Sequence, residues 1–534
     1  MLGAAADART VITNANGYTL DEVGRLQKFT TLVIGDDGRV EGVRDAGDAY
    51  PDGEVIDVEG ATLLPGLIDA HGHIMGLGEQ LRTLDLSQTQ SLEEALAAIS
   101  AYAEANPDLP WITGRGWNQV SWGMNDFPTA ADLDAAVGDR PVALARVDGH
   151  AAWLNSAAMR AANITAASTD PEGGRIVRAE DGAPTGILVD TAMGLAERII
   201  PPPSVEERAA RLEAALAAMA AAGLTGAADM GTSPEDWALF EAFAQNGALT
   251  ARIAAYARPY ENFLQIAETE PTGWQYRDRL SFAGLKIVAD GALGSRGAAM
   301  LEPYSDAPEE TGLAIVEGAQ LRNQMIGAAQ RGYQLAVHAI GDAANRDVLD
   351  AFTDIGEYVP GGRHRVEHAQ VVAPEDLARF GEIGLVASVQ PTHATSDKAM
   401  AEDRVGADRM QGAYAWRTLA NSGARLALGS DFPVEPVEPL YGLHAAVTRQ
   451  DRQGEPAGGW YPEEGLSPVE ALAGFTQGAA YAMNLDGNVG TLTPGKWADF
   501  ILVNGDPIAG DPVRIWQIEV LETWLAGERV YAAQ

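Results

Sequence analysis

Two histidines one residue apart close an apolar run, Leu64-Pro-Gly-Leu-Ile-Asp-Ala-His-Gly-His73. Side chains alternate between faces in an extended strand, so His71 and His73 project the same way. Two imidazoles on one face at a strand end can hold a metal ion from one side, or they can pair with carbonyls in a polar turn. Further residues able to do chemistry stand on later strand-like runs: Lys286 and Asp290 are carried by one, and His338, His368 and Asp431 end three others. Four of the chain's eight histidines belong to this series. Each alone reads as an ordinary pocket or core histidine. Together they need a fold that brings several strand ends to one face.

The chain between its two ends alternates strand-like runs with helical segments. After the His-x-His strand come Gly223–Met230, Ala251–Tyr256, Phe282–Asp290, Gln334–His338, Arg363–His368, Leu385–Gln390 and Arg425–Asp431. Val205–Ala222 is rich in strong helix formers and has Gly223 as its stop. Ser91-Leu-Glu-Glu94 opens another helix with a capping-box pattern. Eight parallel strands alternating with helices predict an α/β chain with a (β/α)8 TIM-like barrel over 65–486, its active site at the C-terminal ends of the strands. Short β-prone runs separated by turns fill 1–64 and 487–534, and are expected to form one composite β-sandwich. The first two barrel strands lie far apart in sequence. The segment 110–204, with Trp111, Trp117, Trp122 and Trp153 and ending in Pro201-Pro-Pro203, is therefore expected as an insertion in the first strand-to-helix loop. It reads as a cap that shapes the substrate pocket, or as a surface decoration.

Acidic residues outnumber basic ones by 75 to 37, for a formal charge of −38. Such a chain repels phosphate backbones and anionic lipid, so a small-molecule substrate is expected and nucleic acid and membrane partners are not. A homodimer or higher homo-oligomer stays open. The absence of cysteine excludes disulfides, thiolate metal sites and cysteine nucleophiles. No apolar stretch approaches the roughly 18 residues of a membrane span. The small residues of Met1–Ala8 resemble the trimmed end of a signal peptide, leaving cytoplasmic and periplasmic locations both open.

These motifs resemble the amidohydrolase superfamily, in particular its amidohydrolase-3 branch of YtcJ-like and N-substituted formamide deformylase-like proteins. The carriers are Pro65–His73, Lys286-Ile-Val-Ala-Asp-Gly-Ala-Leu-Gly-Ser-Arg296, Val337-His-Ala-Ile-Gly-Asp342, Arg363–Gln370, Gly429-Ser-Asp-Phe-Pro-Val434 and Gly490–Asp499. The resemblance implies a paired metal site, usually zinc. His71 and His73 would bind one ion with Asp431, and His338 and His368 the second. Lys286, carboxylated by carbon dioxide, would bridge both. The residue-level alternative is a lysine neutralised by Asp290, four positions along.

A pair of divalent ions about 3.5–4 Å apart can lower the pKa of a shared water toward about 7. The resulting hydroxide would attack an amide carbonyl, with Asp431 passing a proton to the departing nitrogen. The expected activity is thus hydrolysis of a C–N bond in an N-acyl or N-formyl compound. Ester or lactone hydrolysis, deamination of a heterocycle and an inactive binding scaffold are the other readings. Trp117, His150 and His393 are candidate substrate contacts, with Trp122 and Tyr304 as further pocket candidates. His364 is assigned to the core and His444 to a structural role.

Overall fold

Arg252-Ile-Ala-Ala-Tyr-Ala257 is buried along its whole length, the pattern of a parallel strand covered on both faces. It is one of eight strands of a parallel barrel sheet in the computed structural model, which describes residues 9–119, 121–124, 126–146, 151–171, 174–356 and 362–533. We number them β1 (Leu67–Gly72), β2 (Leu224–Thr232), β3 (Arg252–Ala257), β4 (Leu280–Val288), β5 (Gln334–Ala339), β6 (Arg365–His368), β7 (Val386–Val389) and β8 (Arg425–Leu428). All neighbours are parallel and run in sequence order. Just beyond β8, a parallel bridge from Gly72 to Phe432 brings the ring nearly to closure. There Asp431 N–H donates to the His71 carbonyl (2.7 Å) and His73 N–H to that of Phe432 (2.8 Å). A side chain at Gly72 would sit 2.4 Å from the Phe432 ring, so this seam requires glycine. The barrel expected from the sequence is present, strand for strand.

The two chain ends build the expected composite sandwich. Thr62–Pro65 pairs antiparallel with Phe500–Val503, setting Leu63 opposite Leu502. These strands sit in a six-stranded sheet with Asn16–Leu20, Leu26–Phe29, Val520–Leu525 and Glu528–Ala532. A four-stranded sheet contains Thr10–Thr13, Thr31–Ile34, Val40–Arg44 and Glu54–Asp57. Ile12, Phe29, Leu32, Leu63, Phe500, Leu502 and Trp524 share one core. A buried bidentate pair joins barrel to sandwich: Arg252 donates to both Asp499 carboxylate oxygens at 2.7 and 2.9 Å. Its remaining nitrogen reaches the Arg277 and Asp278 carbonyls.

Leu77–Ala214 forms a compact unit of its own, wider than the expected 110–204. Its six-stranded sheet begins with Leu84–Asp85, which pairs with Ile112–Trp117. Helix Leu92–Ala105 buries Ala95, Ile99 and Ala103 in the same core. Both elements precede the aromatic-rich stretch that marked the insertion. Trp117 corrects an expectation: it is a core residue of this unit, fully buried. Its indole N–H donates to the Leu144 carbonyl at 2.8 Å, and its ring meets Phe127 and Trp153 edge-on. Trp122 packs against the same core. No described helix is long and apolar enough to cross a membrane.

Candidate metal centre

At the C-terminal end of the barrel, β1 delivers His71 and its following residue His73. Both imidazoles turn Nε2 toward one carboxylate oxygen, Asp431 Oδ1, at 3.4 and 3.1 Å. Asp431 follows β8 with a left-handed φ of 63°, a costly conformation for a non-glycine residue and one that clusters at functional sites. The preceding turn is held by Asp69, whose buried carboxylate accepts Ser430 N–H, Ser430 Oγ–H and His71 N–H. Burial pushes the Asp69 carboxyl up to about 7.

His71 is fixed from behind. Its Nδ1 lies 2.6 Å from Glu367 Oε2, and Glu367 is in turn gripped by Arg365 at 2.6 and 3.1 Å. Burial alone would raise the Glu367 carboxyl, but the Arg365 guanidinium and the His71 contact hold it far below the usual carboxylate range. Burial and the nearby Lys286 cation draw His71 down to about 3, so its ring is neutral. A neutral ring donating through Nδ1 presents its Nε2 lone pair to the cavity, the arrangement typical of metal-ligating histidines. His368 is built likewise, with Nδ1 2.7 Å from Gln390 Oε1. Burial and the neighbouring His338 keep it well below its ordinary pKa.

Lys286, from β4, brings Nζ to 3.3 Å from His71 Nε2. Burial draws its amine down to about 8, against the pull of Glu367 and Asp431. No ion pair joins it to Asp290 among the described residues. Asp290 instead accepts the backbone N–H groups of Ala299, Ile340 and Gly341. His338 Nε2 lies 3.3 Å from Asp290 Oδ1, and its ring is 4.5 Å from that of His368. Asp431 is held far below the usual carboxylate range: burial would raise it, but His71, His73 and His393 outweigh that.

His71, His73 and Asp431 place three ligand atoms within 4.8 Å of one another, and so do His368, His393 and Asp431. The buried atoms His338 Nε2, His393 Nε2 and Asp431 Oδ1 have no hydrogen-bond partner among the described residues. Unpaired buried polar atoms are costly, and imidazole nitrogens around a carboxylate make a donor set suited to a divalent cation. The residues present fit a metal.

His393 lines the same cavity, 3.6 Å from Asp431 Oδ2. His150 lies outside the described residues. Tyr304 is buried with its hydroxyl on the Ala298 carbonyl (2.7 Å), a packing role. His444 is buried between the Pro512 and Asp451 carbonyls. His364 is a core residue, its ring stacked on Phe352 and its Nδ1 accepting Leu335 N–H. Sequence reasoning missed Arg365, Glu367, Asp69 and Gln390. Asp69 and Gln390 carried a signal, as polar side chains inside or at the tip of an apolar barrel strand where burial demands a partner, whereas Arg365 and Glu367 share the polar strand β6 with His368.

A family model described as "Amidohydrolase family" matches residues 54–531. The YtcJ amidohydrolase of Bacillus subtilis (strain 168) is 36% identical over 495 residues, 90% of this chain and 91% of that protein. The N-substituted formamide deformylase of Arthrobacter pascens is 25% identical over 541 residues, 97% of each chain. Among solved structures, an uncharacterized metal-dependent hydrolase from Pyrococcus horikoshii OT3 has a TM-score of 0.78 at 28% identity, covering 94% of this chain and 99% of that one.

Proposed function

This chain belongs to the amidohydrolase family, and from that membership we propose that it cleaves an amide-type C–N bond in a small N-acyl or N-formyl compound. The observation that carries the reading is the meeting of His71 and His73 on Asp431 Oδ1, with His71 held from behind by Glu367.

His71, His73 and Asp431 would hold one zinc ion, and His338 and His368 a second. Lys286, carboxylated on Nζ, would join the two positions. In that modification the neutral amine forms an N–C bond to carbon dioxide and releases one proton. The neutral amine thereby becomes a two-oxygen anion, and from the ammonium form a further proton is lost first. The lowered pKa of Lys286 supports it, because a larger share of the amine is neutral near pH 7 than in a solvated lysine. When bound, the ions supply an activated water and a polarised carbonyl.

The chain's own groups do the rest. Asp431 receives a proton from the attacking water and hands it to the departing nitrogen, which leaves poorly unless protonated. Glu367 and Gln390 hold the His71 and His368 rings so that Nε2 stays available. His393, whose Nε2 has no hydrogen-bond partner among the described residues, hydrogen-bonds the substrate. A screen of N-formyl, N-acetyl and longer N-acyl amines tests this by amine release from metal-free and zinc-reconstituted protein. Zinc-dependent release supports the reading. Turnover of esters with none of the amides would transfer it to an esterase.

A further inference from the structure

The cavity in front of the ligand cluster has a volume of about 330 Å³, and its walls differ in chemistry. Val288 and Leu293, on and after β4, and Ile340, after the neighbouring β5, give a short aliphatic strip, Val434 stands beyond β8 on the other side, and Asp397 and Glu435 give carboxylates. Apart from Lys286, Arg258 is the one lysine or arginine on these walls among the described residues. It directly follows β3, at the catalytic end of the barrel. β3 stands four strands away from β7 in the eight-strand order, so Arg258 stands across the barrel mouth from the segment after β7 that carries His393 and Asp397.

The Arg258 carbonyl accepts the Asn262 amide at 2.8 Å, which steadies the turn. Its guanidinium has no hydrogen bond, ion pair or ring contact with a described residue. Arg258 is exposed, so its guanidinium is open to a ligand that enters the cavity it lines. A guanidinium presents a planar fork of N–H donors that matches a carboxylate two bonds at a time.

We propose that Arg258 anchors a carboxylate on the substrate, so that this site selects amides bearing a carboxylate over neutral amides of the same shape. The carboxylate sits on Arg258, the aliphatic strip takes the adjoining carbons, and the scissile bond lies at the histidine cluster. The position of the scissile bond rests on the hydrolase reading above; the anion subsite does not.

The test is calorimetric titration of N-acetylglycine and the neutral N-acetylglycinamide into metal-free and zinc-loaded protein, with R258M and R258K alongside wild type. Wild type is expected to favour the carboxylate probe by about tenfold or more, the scale of charge-assisted hydrogen bonds. R258M should erase the preference in both forms, and R258K should keep part of it. A carboxylate bound by zinc alone would keep its preference in zinc-loaded R258M. That result, equal binding of the two probes, or no binding of N-acetylglycine overturns the proposal. If zinc-loaded protein hydrolyses no amide while the Arg258-dependent preference stands, the hydrolase reading fails and the anion subsite survives.

Discussion

Glu367 Oε2 lies 2.6 Å from His71 Nδ1, with both side chains 1% exposed or less. This contact converts the alternation of one barrel strand into a chemical property of another. Arg365 and Glu367, two residues apart on β6, face the barrel interior together, and the charge pair they form sets which nitrogen of His71 carries the proton.

Glu367→Gln tests that relay. Replacing the carboxylate leaves Arg365 buried without its counter-ion, so stability should fall by about 3–5 kcal/mol. Zinc affinity should fall about 10–100-fold, as when the outer hydrogen bond of a ligating histidine is lost. Denaturant unfolding and zinc titration measure the two effects. Adding Arg365→Met should recover stability without recovering zinc affinity.

Asp431→Asn should remove proton transfer while retaining nearly the same shape. The expected loss in kcat is about 10²–10⁴-fold, together with weaker zinc binding at the His71–His73 position. Initial rates on any amide found in the screen, measured at saturating zinc, check this.

His364 supplies a pH prediction away from the centre. Burial lowers its pKa from 6.5 to about 4, so between those values the unfolded chain takes up the proton and the folded chain does not. Its contribution to stability is intact above pH 6.5 and is lost as pH falls toward 4, up to about 3 kcal/mol. In His364→Gln the unfolding free energy should fall less steeply across that window. Parallel curves for the two proteins would refute the assignment.

The same histidine shows where the sequence was legible and where it was not. His71, His73, His338 and Asp431 were readable because each stands at the end of an apolar run, and Lys286 because it interrupts one. Regular spacing puts His364 and His368 on one face, yet His364 packs on Phe352 while His368 enters the cavity. The reason is the left-handed φ of 72° at His368, which breaks strand alternation at the tip of β6. Asp431 carries a similar turn, and neither can be read from apolar periodicity. The relay behind His71 was hidden because its members, Arg365 and Glu367, meet β1 only in the closed barrel.

Trp117 was misread for a related reason: an aromatic-rich insertion looks alike whether its rings face a ligand or one another. Trp117→Ala should cost about 3–5 kcal/mol in the stability of the Leu77–Ala214 unit. Thermal unfolding and hydrogen exchange over those residues would measure it. Retention of full protection there would contradict the core role.

Metal analysis after zinc reconstitution tests the central claim most directly, with wild type, Lys286→Ala and His71→Ala measured side by side. The account predicts about two zinc ions per wild-type chain and a clear loss in both variants, with short carboxylic acids partly restoring zinc to Lys286→Ala. Wild-type protein that binds no zinc, or variants that bind as much as wild type, would contradict it.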